Sequence, residues 1–495
     1  MDDLAHFGAL ILLTAVAAVV AIASNRLSER LQVPAPAIFF LLAVAATAIH
    51  PPLGDVPLVT TERIVTVAVA AILFDGGMNI GRSRLRGAVG VISAVGVLGT
   101  FATAAAVAVT AHVVFGFDWW VALLLGTAVA PTDPAVVFSV LGRREIAGRS
   151  GTVLEGESGA NDPVGIALLV SLLAAGGVSL GAWGHVVGEF ALQMVVGTTV
   201  GVVGGIALLW FMRNVPLPSE ALYPLRALAT AFVVFGLASV AHGSGFLAIF
   251  VAGILIGDER APYKREVERF ASVVASLAEI VAFVALGLTV DLDEITHTDV
   301  WVVGLVIGLA LIVVIRPLLV GAVMLPFEFA RSERAFVLFC GLKGAVPLLL
   351  GTLILSEAVP DGDRVYGIVI VVVMVSVLVQ GTLVPTVAQR LNIPMRRHDP
   401  EPWALGVRLR DEPDGVHRLV VAEGSRADGV TIGDLPVSSD DVWVSFVVRD
   451  QQLVPVGGDT VLHPGDDVLV LANPDLRDEL LAVFTRPGAA SGPRG

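Results

Sequence analysis

Between residues 7 and 390 the sequence returns again and again to one pattern: a run of mostly apolar residues, closed by charges or by Gly and Pro. A helix that crosses the hydrocarbon of a bilayer needs about 20 such residues. Runs of that kind fall near 7–24, 33–49, 60–78, 87–115, 120–141, 150–175, 184–211, 222–241, 244–257, 270–290, 299–325, 334–357 and 364–390. The chain is 55% hydrophobic and 15% charged, whereas soluble domains carry roughly 25% charged residues. A water-soluble core could not hide so much apolar surface. The expected fold is therefore an all-α polytopic membrane protein of about thirteen spans.

Several classes are excluded on the same grounds. The single cysteine, Cys340, cannot form a disulfide framework within the chain. A net charge of −14 is the wrong sign for a nucleic-acid binder. The opening Met1-Asp2-Asp3 has no basic segment ahead of the first apolar run, so that run reads as a span, not as a cleaved signal peptide.

Loop charges test the span count. Alternate loops hold Arg26/Arg30, Arg82/Arg84/Arg86, Arg143/Arg144/Arg149, Arg213/Arg226, Arg260/Lys264/Arg265/Arg269, Arg331/Arg334 and Arg390/Arg396/Arg397. The intervening loops hold only Arg63 and Arg364, beside Asp55, Asp118, Asp291/Asp293/Glu294/Asp299 and Asp361/Asp363. Basic residues favour the cytoplasmic side, and one missed span would scramble the alternation. The expected N-terminus is outside the cell membrane, and the C-terminal segment is in the cytoplasm.

Two spans carry helix breakers together with one charge. Span 5 contains Ala130-Pro131-Thr132-Asp133-Pro134, and span 12 contains Gly341-Leu342-Lys343-Gly344-Ala345-Val346-Pro347. Transporters built from inverted repeats place broken helices at matching positions in their two halves. Spans 1–6 and 8–13 are accordingly expected to be two inverted six-helix repeats with crossed broken helices, joined by span 7.

Ionisable side chains within spans are costly unless paired or hydrated. Here they are Asp75, Asp133, Glu157, Asp162, Glu189, Glu279, Arg316 and Lys343, with Glu155 nearer a helix mouth. Span 6 is the densest, with Glu157-Ser158-Gly159-Ala160-Asn161-Asp162-Pro163. On a helix Ser158 lies one turn from Asp162, and Glu157 one turn from Asn161. A carboxylate there can hold either a hard monovalent cation or a proton, which makes exchange of the two feasible. A mere polar clamp between helices would need fewer polar groups. In span 5 the prolines free backbone carbonyls, tolerable only inside protein or beside a cavity. Those carbonyls and the Thr132 hydroxyl suit a dehydrated K⁺ or Na⁺. Asp133 and Lys343 can neutralise half-helix N- and C-terminal ends respectively, and this alone would justify their presence. One of Arg316 and Lys343 is expected to pair with Glu157. Glu279 and Asp75 have weaker claims.

At these motifs the sequence resembles the monovalent cation:proton antiporter-1 family, within it the NhaP/CvrA-like potassium(sodium)/proton antiporters. The resemblance spans residues 5–395 and rests on Pro131-Thr132-Asp133-Pro134, Glu157 through Pro163, and Gly341 through Pro347. It implies an NhaA-like fold, a homodimer, and a mobile core of spans 4–6 and 11–13 working by alternating access. It also implies that Asp162 is the shared cation and proton carboxylate, next to Asn161. Thr132, Asp133 and Ser158 carry over as ion-site or crossing residues, with Asp162 and Thr132 foremost for the monovalent cation. Glu157 carries over as salt-bridged support, in a network with Arg316 and Lys343. The Asn-Asp pair is similar to that of the electroneutral class. One departure stands out: Lys343 occupies a position where the family carries Arg, keeping the charge and losing the fork geometry.

The last fifth differs in composition, with 8 Lys+Arg against 16 Asp+Glu over residues 401–495. After a linker over 396–412, apolar runs at Leu419-Val420-Val421, Val442 to Val448 and Asp467 to Leu471 read as strands, and 474–484 reads as a helix. Residues 413–486 resemble the TrkA C-terminal (RCK-C) module, a small cytoplasmic α+β domain, notably at Gly424-Ser425 and from Gly457-Gly458-Asp459 through Gly465-Asp466. The resemblance implies a dimerising regulatory domain that takes a small ligand, or one that serves assembly alone. Absence of a Gly-rich βαβ unit leaves NAD or ATP binding without support. Residues 487–495 are expected to be a disordered tail.

Residues 1–395 are thus expected to be an exchanger of K⁺ or Na⁺ for H⁺ and not an enzyme. It needs no cofactor beyond the transported ions, and its partners are those ions, lipid and a second copy. The competing reading is a channel gated by the C-terminal domain, although no carbonyl filter of the TVGYG type occurs.

Overall fold

The computed structural model describes residues 33–141, 144–146, 148–259, 261–292, 298–397, 415–437, 442–449 and 452–485. The expected first span (7–24), nearly all of the expected linker and the expected tail (487–495) lie outside the described residues. The chain divides into two compact units, residues 1–399 and 400–495.

The first unit is helical. Its helices are α1 (Ala35–Ile49), α2 (Leu58–Ser93), α3 (Gly99–Phe115), α4 (Trp119–Ala128), α5 (Pro134–Leu141), α6 (Arg149–Ala175), α7 (Leu180–Asn214), α8 (Leu222–Val240), α9 (Gly245–Gly257) and α10 (Lys264–Leu288). There follow α11 (Thr298–Ala310), α12 (Arg331–Phe339), α13 (Ala345–Ser356) and α14 (Gly362–Val375). Among the described residues, seven helices are long and apolar enough to cross a membrane, and α1, α4, α9 and α13 are shorter apolar helices. Val113, Leu180, Val203, Trp210, Val240, Val313 and Leu318 are all more than half exposed. So many exposed apolar side chains would be a liability in water, and suit lipid.

Local chemistry sets the helix ends. Asp118 accepts the Trp120 N–H at 2.8 Å to open α4, and Ser179 and Ser244 open α7 and α9 in the same way at 3.2 Å. A side-chain acceptor at this position satisfies one of the unpaired N–H groups of the first turn. The long run from Leu58 to Phe115 bends at Gly81, where φ is +62° and ψ 174°. The Ser83 N–H beyond it donates to the Asp258 carboxylate at 2.5 Å, so an acid at the end of α9 caps the restarted helix. The expected separate runs 60–78 and 87–115 thus lie on one continuous path folded at a glycine.

The two expected helix breaks are present. Residues 129–133 separate α4 from α5, and residues 340–344 separate α12 from α13. Three stretches wind as π-helix, Ala94–Leu98, Leu311–Val320 and Ser376–Gly381. The last two continue α11 and α14, the latter on to Thr382–Arg390. Such widened turns recur at functional sites. Within the same unit, β1 (Arg144–Ile146) pairs antiparallel with β2 (Met395–Arg397).

The second unit is a four-stranded antiparallel sheet of β3 (Val416–Val420), β4 (Trp443–Arg449), β5 (Gln452–Val454) and β6 (Asp467–Leu471), in the order β3-β6-β4-β5. A closing helix, α15 (Arg477–Phe484), places Leu480, Val483 and Phe484 in a core with Leu419, Val447, Val468 and Val470. Asp466 is fully buried just before β6. The Arg449 Nε and Nη2 donate to its two oxygens at 2.8 Å each, and the His463 N–H adds a third bond at 2.8 Å.

Candidate functional site

The two breaks meet inside the first unit. The Asp133 N–H donates to the Leu342 carbonyl at 2.8 Å, binding one interrupted helix to the other. Lys343 Nζ donates to the carbonyls of Ala130 and Pro131 at 2.9 and 3.1 Å. Those carbonyls end α4, where partial negative charge gathers. The Asp133 carboxylate accepts the Ala135 N–H at 2.9 Å, at the positive end of α5. A Cβ on Gly344 would overlap that same carboxylate, and a Cβ on Gly341 would overlap the Arg316 guanidinium. Both glycines of the span-12 motif are therefore required by neighbouring charged groups.

Arg316 settles the pairing that the sequence left open. Its Nη1 and Nη2 donate to Glu157 Oε1 and Oε2 at 2.7 and 2.9 Å, and its Nε donates to the Leu338 carbonyl at 2.8 Å. Both partners are buried. Lys343 takes no part in that ion pair and holds the end of α4 instead. Loss of the fork geometry at position 343 therefore leaves the Glu157 pair intact, because the fork comes from Arg316.

Asp162 sits midway along α6, 7% exposed, with Ser158 Oγ 3.4 Å from its Oδ2. Asn161 turns toward the first break and donates from Nδ2 to Thr132 Oγ1 at 2.7 Å. Its Oδ1 is buried and without a hydrogen-bond partner among the described residues. Asp162 also lies within electrostatic reach of Asp133 and Lys343. Thr132, Ser158, Asn161 and Asp162 thus bring side-chain oxygens together at the crossing, all of them shielded from lipid.

One expectation needs correction in detail. The sequence suggested that carbonyls freed by Pro131 and Pro134 would face a cation. The carbonyls of Ala130 and Pro131 already accept from the Lys343 ammonium, so a second cation there would meet a like charge.

Two supporting residues went unnoticed in the sequence. Ser376 Oγ accepts the Lys343 N–H at 3.0 Å and donates to Gln380 Oε1 at 2.9 Å. Gln380 Nε2 in turn donates to the Phe339 carbonyl at the end of α12. Their signal was faint: two polar residues four apart in the apolar run 364–390. A cavity of about 10 Å³ beside them, lined by Arg316, Lys343, Ser376, Gln380 and Thr103, has room for about one water.

A family model described as "Sodium/hydrogen exchanger, transmembrane" matches residues 14–390. The chain belongs to the sodium/hydrogen exchanger family. A second model, the TrkA-C domain, matches residues 416–485. The exchanger is 29% identical to the K(+)/H(+) antiporter NhaP2 of Shewanella oneidensis over 96% of this chain and 83% of that protein. It is 31% identical to the K(+)/H(+) antiporter NhaP of Alkalimonas amylolytica over 93% of this chain and 80% of that one. The structure of the sodium proton antiporter MjNhaP1 from Methanocaldococcus jannaschii superposes with a TM-score of 0.65 at 21% identity. It covers 77% of this chain and 100% of its own, and carries the fold alone. These relatives are transporters, and none of them supports the channel reading.

Proposed function

We propose that the exchanger is a secondary active antiporter that trades a monovalent cation, K⁺ in preference to Na⁺, for H⁺ by alternating access at Asp162. The observation that carries this reading is a buried carboxylate at the crossing of two broken helices, beside an unpartnered Asn161 oxygen and the Thr132 hydroxyl. A cation replaces its water shell with such oxygens. A proton occupies the same carboxylate and displaces it. Competition for one seat couples the fluxes, and the core moves when the charge on that seat is neutralised. Thr132, Ser158 and Asn161 complete the seat, Asp133 and Lys343 hold the crossing, and the Glu157–Arg316 pair fixes α6. The K⁺ preference rests on the names of the relatives from Shewanella oneidensis and Alkalimonas amylolytica.

Within this reading exchange is electroneutral, since Asn161 contributes no second carboxylate beside Asp162. The membrane domain, residues 1–395, has thirteen spans in two inverted repeats and forms a homodimer in the cell membrane. Its N-terminus is outside. Residues 413–486, joined by the linker 396–412 and followed by the tail 487–495, form a cytoplasmic domain that takes a small regulatory ligand. The test uses full-length protein in proteoliposomes loaded with a pH-sensitive dye. K⁺ addition should dissipate the proton gradient, and Asp162→Asn should abolish the signal. Wild-type rates in that variant would overturn the mechanism.

A further inference from the structure

The charges at the crossing nearly cancel. Arg316 answers Glu157, and Lys343 stands with Asp133 over the ends of α4 and α5. Glu279 on α10 lies outside these pairings. Glu279 Oε1 is sealed from solvent and has no hydrogen-bond partner among the described residues. Its charge reaches Asp133, and α10 packs against α2 and α13, the second half of a broken helix.

That helix face also carries polar side chains. At 3.6 residues per turn, Glu268, Ser272 and Glu279 point within about 40° of one another, and Ser276 flanks them. Glu268 is held by Lys264. Ser272 Oγ donates to Asp75 Oδ1 at 2.8 Å, and Asn79 Nδ2 donates to Asp75 Oδ2 at 3.0 Å. Ser272, Ser276 and Asn79 are exposed. Exposed polar groups along a span line water more readily than lipid. From Glu268 to Glu279 the face climbs about 16 Å at 1.5 Å per residue, about half the hydrocarbon thickness. It begins at the end of α10 that carries Lys264, Arg265 and Arg269.

We propose that Glu279 is a relay seat for the transported cation, holding a partly hydrated alkali ion between the polar groove of Asp75, Ser272 and Ser276 and the oxygens at Asp162. The inference rests on the antiport reading above. Glu279 stands on a helix outside the expected moving core, and the Asp162 seat stands within it. A carboxylate facing that boundary raises the local cation concentration, and a cation bound there loses part of its water before it reaches Asp162. Glu279 is a cation-binding residue in this scheme: it sets how well the cation loads, and Asp162 sets whether exchange occurs.

The test compares K⁺ titrations of full-length Glu279→Gln, Glu279→Asp and Asp162→Asn in proteoliposomes. Glu279→Gln is expected to raise the K⁺ concentration for half-maximal exchange about fivefold with the maximal rate within about twofold, the signature of lost ground-state binding. Glu279→Asp should restore most of the affinity, and the thermal unfolding temperature should stay at the parent's value in both. An unchanged K⁺ dependence in Glu279→Gln would overturn the relay while leaving the antiport reading standing. A joint loss of rate and thermal stability that Asp does not rescue would also overturn it, by making Glu279 structural. Full exchange in Asp162→Asn would overturn the antiport reading itself. If Glu279→Gln does not assemble, Ser276→Cys in a Cys340→Ala background carries the test. Saturating K⁺ should slow its labelling by a cationic thiol reagent, and K⁺-independent labelling would overturn the relay.

Discussion

Glu157 and Arg316 face each other through two short bonds in surroundings almost closed to solvent. Their mutual attraction offsets two desolvation costs, so the pair adds little net stability, but removing one partner strands the other. Arg316→Ala should destabilise the folded protein by about 3–5 kcal/mol, read as a lower unfolding temperature in detergent. Replacing both residues with apolar side chains of similar volume should recover most of the loss, and an additive double-variant result would refute the coupling. Lys343→Met poses a neutral version of the problem. It leaves the Ala130 and Pro131 carbonyls unpaired, at about 1–3 kcal/mol for a stranded group, and an unshifted unfolding temperature would count against the capping role. All three intramembrane charges concerned were legible as costly groups needing partners. The choice between Arg316 and Lys343 was not, because it depends on where the folded backbone lets each long side chain reach. Arg316 lies over Gly341, and Lys343 reaches through the first break.

At the scale of elements, both interruptions were legible because Pro131, Pro134, Gly341, Gly344 and Pro347 leave the helix no regular continuation. What they do on meeting was not legible. The Asp133 N–H to Leu342 carbonyl bond joins residues more than two hundred apart in sequence, and no local pattern encodes it. The Gly81 bend and the π-helical stretch Ser376–Gly381 were likewise hidden, since each depends on a neighbour: Asp258 beyond α9 for the bend, and the polar network around Lys343 for the stretch. This organisation makes Gly344 the most sensitive glycine of the crossing. A methyl group there would overlap the Asp133 carboxylate and push the half-helices apart. Gly344→Ala is expected to lower exchange by roughly a hundredfold, the scale of a displacement of about 1 Å at a reacting centre. Gln380→Leu, which cuts the Ser376 and Phe339 bonds from the far side, should give a smaller loss of about tenfold. Equal rates for Gly344→Ala and the parent would show that the crossing does not position the seat.

At the scale of the whole molecule, the division into two units could be read from charge and hydropathy alone, because lipid and water impose different compositions. The sheet order of the second unit could not, since β3, β4 and β6 present similar apolar runs and their pairing follows from turns such as Gly465, where φ is +89°. That unit also carries the exchanger's clearest acid dependence outside the membrane. Burial pushes the Asp466 carboxyl up, but the Arg449 hydrogen bonds, the His463 N–H and the charges of both residues outweigh it and hold it below its ordinary value of 3.8. A carboxyl lowered by folding contributes stability above its unfolded value, and that contribution drains away as pH falls through the lowered one. Calorimetry of the full chain should therefore show the transition of the second unit shifting to lower temperature as pH drops below about 4, with little change between neutrality and pH 5. Arg449→Met should destabilise that unit at neutral pH by about 1–3 kcal/mol by stranding a buried carboxylate. It should also weaken the acid dependence, because the His463 groups are then left alone against burial, which favours the protonated form. The same downward slope in Arg449→Met as in the parent would mean that acid acts on this domain through some group other than Asp466.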